Sequence, residues 1–156
     1  MKHKHLFLHN NTKTLVIIGG KIKDQYWVDA EVQSTFKQKY DKIRFLVDPS
    51  ELFTIISISD AIQHNIDYST FKTGKFEIGG KKIEAYIYGN CNLFLYHNDG
   101  GSYELILEKV IIPVEHSFKN QPKVNSSRVG LDFLELFTIS YKHSEDGDMI
   151  LLEPVL

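Results

Sequence analysis

An aspartate at the end of an apolar strand is the residue of this sequence best placed to do chemistry. In Lys42-Ile-Arg-Phe-Leu-Val-Asp48-Pro-Ser-Glu-Leu-Phe-Thr-Ile-Ile-Ser57, one apolar run delivers Asp48 to its end and a second run leaves a few residues later. Such an acid sits at the mouth or core of a barrel. Read locally, Asp48-Pro49-Ser50 is also ordinary turn chemistry, and on local grounds alone the turn reading wins. Other reactive residue types offer less. His3, His5 and His9 fall in an N-terminal segment, residues 1–14, that reads as flexible, where solvated histidines are the simplest account. His64, His97, His116 and His143 stand singly with no second ligand at metal spacing, so no metal and no cofactor is expected. Cys91 has no base beside it in sequence and reads as a buried structural thiol. Lys81-Lys82 and Lys37-Gln-Lys39 read as solvated turns, and Tyr26 and Trp27 as strand packing.

The elements that must position Asp48 are strands. Short runs of β-branched and aromatic residues occur at Leu15–Ile18, Tyr26–Val32, Ile43–Val47, Phe53–Ile56, Lys82–Tyr88, Leu93–Tyr96, Tyr103–Ile112, Phe137–Tyr141 and Met149–Leu152. Residues that tolerate positive φ separate several of them, and hairpins are expected at Gly19-Gly20, Gly79-Gly80, Asn98–Gly101 and Glu145–Asp148. Only Ser59–Asn65 and Asp132–Phe137 look helical, and both are short. The inventory is all-β: a small closed barrel with one or two short helices. With 156 residues, no Ser/Gly-rich linker and no repeat, residues 15–156 read as a single domain.

Composition removes several classes of function. Eighteen Lys+Arg against 20 Asp+Glu leave a net charge of -2, so there is no basic field for nucleic acid. No strand, glycine loop and helix follow one another as a phosphate site requires. One cysteine excludes an internal disulfide framework and suits a reducing compartment. No apolar stretch approaches the roughly 20 residues that cross a bilayer, and the start of the chain lacks a signal peptide's apolar region. A soluble, cytoplasmic chain with no membrane partner is expected.

The segment around Asp48 resembles the active-site loop of retropepsin-like aspartic proteases, in which an apolar strand leads to Asp-Thr/Ser-Gly-Ala and then to a Thr-apolar-apolar-Ser strand. Val47-Asp48, Phe53, Thr54-Ile55-Ile56 and Ser57 fall in that register without a gap. Upstream, Lys21–Val32 and Lys42–Val47 are similar to the family's opening strands. Downstream, Thr73–Tyr88 resembles its flap hairpin, with Ile78, Gly79 and Gly80 near the tip. Val129-Gly130-Leu131-Asp132-Phe-Leu is similar to the apolar-Gly-x-Asp segment that packs beneath the loop. The resemblance covers about residues 15–153. It implies a homodimer in which Asp48 of each chain meets at a shared cleft, one carboxylate acting as base on a water while the other donates to the scissile carbonyl. It also implies a flap that closes over an extended peptide or protein segment, and a sheet at the dimer interface built from Leu15–Ile18 and Met149–Leu152 as exposed edges.

The departures fall inside the loop. Pro49 stands for the Thr/Ser and has neither hydroxyl nor N–H, so the bonds that lock the two loops across the dimer are lost there. Ser50 stands for the Gly, where strain or a wider spacing is expected, and Glu51 for the Ala, adding a carboxyl beside the pair. Leu131 and Leu52 jointly replace an ion pair of viral members. Two readings follow: an aspartic endopeptidase, or an inactive relative that keeps dimer and cleft to bind a peptide or protein. Pairing with a different subunit that carries an intact loop is a third arrangement.

Overall fold

The computed structural model describes residues 5–8, 16–35, 40–114 and 126–155. The rest of the N-terminal segment 1–14 with His3 and His9, Lys37-Gln-Lys39, His116 and most of the polar loop 116–127 lie outside the described residues. Strands β1 (His5–Leu8), β2 (Ile17–Ile22), β3 (Gln25–Gln33) and β4 (Tyr40–Val47) come first. Helix α1 (Ile58–Gln63) and a short 3-10 turn at Tyr68–Thr70 precede β5 (Thr73–Ile78), β6 (Lys81–Tyr96) and β7 (Ser102–Pro113). Then come β8 (Arg128–Val129), α2 (Leu131–Leu134), β9 (Phe137–Lys142) and β10 (Met149–Pro154). No helix among the described residues is long and apolar enough to cross a membrane.

Alternation of side chains builds the core. On β3 Val28, Ala30 and Val32 are buried while their neighbours are half-exposed, as a period of two requires when one face is covered. Their partners on β4 match them, with Val28 opposite Phe45 and Ala30 opposite Ile43. One ten-stranded sheet results, running β1-β7-β6-β3-β2-β10-β9, with β4 on β3, β8 on β4 and β5 on β6. The segment expected as a strand at Phe53–Ile56 is shorter than that, a bridge at Ile55, yet it closes the ring. Ile55 exchanges N–H bonds with Arg128 of β8 at 2.8 Å, and Ile111 of β7 donates to Thr54 at 3.0 Å. That stitch joins β8 back to β7 and makes the sheet a barrel.

Several elements differ from the sequence reading. Lys82–Tyr88 and Leu93–Tyr96 are one strand, because β7 pairs along β6 from Tyr96 opposite Ser102 to Ala85 opposite Pro113. Asn90, at φ +48, kinks that strand instead of turning it. Phe137 belongs to β9 and not to the second helix. The hairpin expected at Gly19-Gly20 turns instead after Ile22, where Lys23 takes φ +57. The two glycines lie inside β2, and a Cβ on Gly19 would stand 2.0 Å from the Trp27 carbonyl oxygen. Gly19 allows two backbones to approach, while Gly20 makes room for the Trp27 indole ring, which a Cβ would meet at 2.5 Å.

The strands expected as exposed edges at a dimer interface also differ. β10 lies between β2 and β9, with Ile17 opposite Leu152 and Ile18 opposite Leu151. The two segments satisfy each other within one chain, because the β9–β10 turn brings the C-terminal strand back against β2. Among the described residues β9 and β1 end the path of the sheet, and β5 is paired on one side, with β6.

Gly19→Ala is expected to lower unfolding free energy by about 1–3 kcal/mol, the cost of forcing extra volume into a filled site. A urea titration that returns the wild-type midpoint would contradict this account of β2.

Candidate active site

Parallel pairing of β4 with β8 sets the loop. Leu46 lies opposite Arg128 and Val47 opposite Val129, and the Asp48 N–H donates to the Val129 carbonyl at 3.0 Å. The chain then turns through Asp48-Pro49-Ser50-Glu51, closed by the Glu51 N–H on the Asp48 carbonyl at 3.2 Å. Pro49 sits at the second position of that turn, where its fixed φ is suited and its missing N–H costs nothing. Ser50 has no positive φ, so the strain expected from replacing glycine is absent. Its N–H and its hydroxyl both donate to Asp48 Oδ1.

Gly130 holds the other side. A Cβ there would lie 2.6 Å from the Phe53 carbonyl oxygen and 2.8 Å from that of Glu51, so glycine is required for the backbones to meet. Val129 is fully buried beside it. The Leu131 N–H donates to the Glu51 carbonyl at 2.9 Å. The buried Thr54 hydroxyl donates to Asp132 Oδ1 at 2.8 Å and accepts from the Gly130 N–H at 3.2 Å. Loop, β8 and α2 therefore form one hydrogen-bonded block.

The residue that sequence reasoning missed is Arg128. Its Nη1 donates to Asp48 Oδ2 at 3.0 Å, and the arginine is only 6% exposed. Pairing opposite Leu46 puts Arg128 on the same face of the sheet as Asp48, two residues further along. The available signal was a charged residue directly before Val129, in a segment that otherwise reads as apolar. With Ser50 on one oxygen and Arg128 on the other, both oxygens of Asp48 are engaged within one chain.

Glu51 does not face Asp48 as a second free acid. It is 7% exposed, and its Oε1 accepts the N–H of Gly79 at the flap tip, 3.0 Å away. The flap is β5 and the start of β6, turning at Gly79 and Gly80 with φ +58 and +81. Ile78 packs with Ile55, Ile83, Ala85 and Ile111, and the Phe53 and Phe76 rings meet edge to face at 5.4 Å. On the outer side of the loop, Leu52 and Leu131 are 61% and 41% exposed. With Phe53 and Leu107 they line a groove of about 410 Å³.

Other candidates stay outside the site. Among the described residues no group of three His, Cys, Asp or Glu side chains is placed to hold a metal. His64, the buried His97 and His143 lie beside Asp41, Asp99 and Asp148 respectively, carboxylates other than Asp48. Cys91 is fully buried, and burial pushes its thiol well above the ordinary range.

The crystal structure of a retropepsin-like aspartic protease from Rickettsia conorii superposes with a TM-score of 0.55, covering 93% of this chain and 97% of that one. The chain has a retropepsin-like fold. Sequence identity to that structure is 17%, so the fold is what is shared. No family model matches the sequence. No curated protein matches it either. Within this chain's barrel, the flap tip at Gly79 and the Gly130 segment both meet the Asp48 loop, the first through the Glu51 side chain and the second through backbone contact.

Two outcomes are expected. Arg128→Leu should destabilise the fold by about 3 kcal/mol by stranding the Asp48 carboxylate, and adding Asp48→Asn should recover most of that loss; additive losses in chemical denaturation would contradict the pairing. Cys91 should be inert to a thiol reagent in the native protein and react at the rate of unfolding, as a buried thiol does.

Proposed function

We propose that this chain is a homodimeric peptide- or protein-binding module built on a retropepsin-like fold, in which Asp48 serves structure and not hydrolysis. One observation carries the reading: the 3.0 Å ion pair between Arg128 and Asp48. A catalytic dyad works because two carboxylates, close together and without other counter-charge, must share a proton. Here the counter-charge for Asp48 comes from its own chain. A second copy brought up across a twofold axis would present another Asp–Arg pair, and neither acid would need its partner's proton. Water that should lie between two aspartates would compete with two guanidinium groups.

The dimer is supported by the apolar surface at Leu52 and Leu131, adjoining the loop and solvent-exposed in the single chain. The ligand proposed is an extended segment, since the flap strands offer backbone groups to a peptide in strand conformation. Cytoplasm is the compartment proposed, in keeping with a lone cysteine.

The test combines assembly, cleavage and binding. Sedimentation should give twice the 18.0 kDa chain mass at micromolar concentration. A peptide library at acid pH should come through uncut, while peptides selected by display should bind wild type and Asp48→Asn alike. Cleavage that a transition-state mimic of the pepstatin type blocks, and that Asp48→Asn abolishes, would sink the proposal in favour of an active peptidase.

A further inference from the structure

The flap and the Asp48 loop meet through a contact that neither element needs for its own shape. A tight turn through two glycines at positive φ closes a hairpin without any outside acceptor. Gly79 and Gly80 have that geometry, and a Cβ built on either would meet nothing within 4 Å, so both Cβ positions face open space. Yet the Gly79 N–H is turned to a carboxylate, Glu51 Oε1, at 3.0 Å.

The two halves of this contact differ in how firmly they are held. The Glu51 backbone is fixed from both sides, donating to Asp48 and accepting from Leu131, within the block that joins the loop to α2. Its side chain is 7% exposed, with little room to take another position. The flap is held more loosely. Ile78 anchors it one residue before the tip, among Ile55, Ile83, Ala85 and Ile111. Beyond Ile78, the carboxylate is the polar tie that the loop supplies to the tip. Placing a second acid on the loop that carries Asp48 is electrostatically unfavourable without a compensating contact. A charge-assisted bond to the Gly79 N–H is such a contact, stronger than a bond to a neutral acceptor.

We propose that Glu51 is a latch: in the unliganded chain its carboxylate holds the flap down on the Asp48 loop, and a peptide enters the cleft only once the Gly79 N–H has been released. The inference rests on reading the cleft as a peptide-binding site. It gives the substitution of Glu for the small residue of related loops a physical role. It also divides flap opening into two steps, loss of the tip bond and withdrawal of Ile78 from its apolar cluster.

The experiment follows the free chain. Tryptic cleavage at Lys81-Lys82, just past the tip, and amide exchange at Gly79 report the flap, while the amides of β3 and β4 report the barrel. Glu51→Ala should speed flap cleavage about tenfold, the loss expected for one charge-assisted bond, and leave β3 and β4 exchange unchanged. Glu51→Gln retains a side-chain oxygen at the same reach but loses the charge, and should fall between wild type and Glu51→Ala. Equal flap cleavage and equal Gly79 exchange in wild type and Glu51→Ala would overturn the latch. Should the alanine variant not fold, the wild type decides alone: a protected Gly79 amide supports the latch, and exchange at the free-peptide rate refutes it. Because no ligand is present, failure of peptide binding is a separate result. A Glu51→Ala flap that opens yet captures no peptide leaves the latch standing and removes the binding reading.

Discussion

The backbone of residues 48–56 passes through the closing seam of a barrel, where each buried N–H and carbonyl must find a protein partner. That requirement organises the molecule. β8 supplies partners for Asp48 and Ile55, β7 for Thr54 and Ile56, and the N-terminal end of α2 for Glu51 and Leu52. Gly130 is glycine because these partners must come within backbone contact. Thr54 and Asp132 use side chains to complete what backbone pairing leaves open. A seam satisfied on both sides is stiff, and the groups it displays, Asp48 and Glu51, are held accordingly.

Charge in the cleft is settled locally. Asp48 faces Arg128 and the Ser50 hydroxyl, Glu51 faces an amide of the flap, and Leu52 and Leu131 beside them present apolar surface. Each acid near the loop thus has a donor from the same chain. Burying a carboxylate without such a donor would cost several kcal/mol, so the arginine and the aspartate are best regarded as one unit.

The strands, the barrel and the loop were legible in the sequence because they follow from patterns of short range. Runs of β-branched and aromatic residues marked β3 and β4, glycine-bearing turns marked the ends of β5, β6 and β9, and the resemblance of Val47–Ser57 and Val129–Asp132 to retropepsin-like segments pointed to the seam. The misreadings came from residues whose role is set by distant neighbours. Gly19 and Gly20 look like a turn until Trp27 is known to lie against them. Asn90 looks like a break until β7 is known to run along both sides of it. Arg128, directly before Val129, was passed over, while Glu51 was visible as an anomaly, an acid in the loop. Their partners lie 80 and 28 residues away, and no local pattern names them.

Pairing of β10 with β2 inside one chain alters how folding and assembly are related. Where two chains share a sheet through their ends, neither end is satisfied until both are present, and folding and association become one equilibrium governed by concentration. Here the C-terminal strand completes its hydrogen bonding against residues 17–20 of its own chain. The barrel can reach its native pairing as a unimolecular event, at any dilution. Any self-association then becomes a separate quantity, set by surface residues that selection can change without endangering the fold.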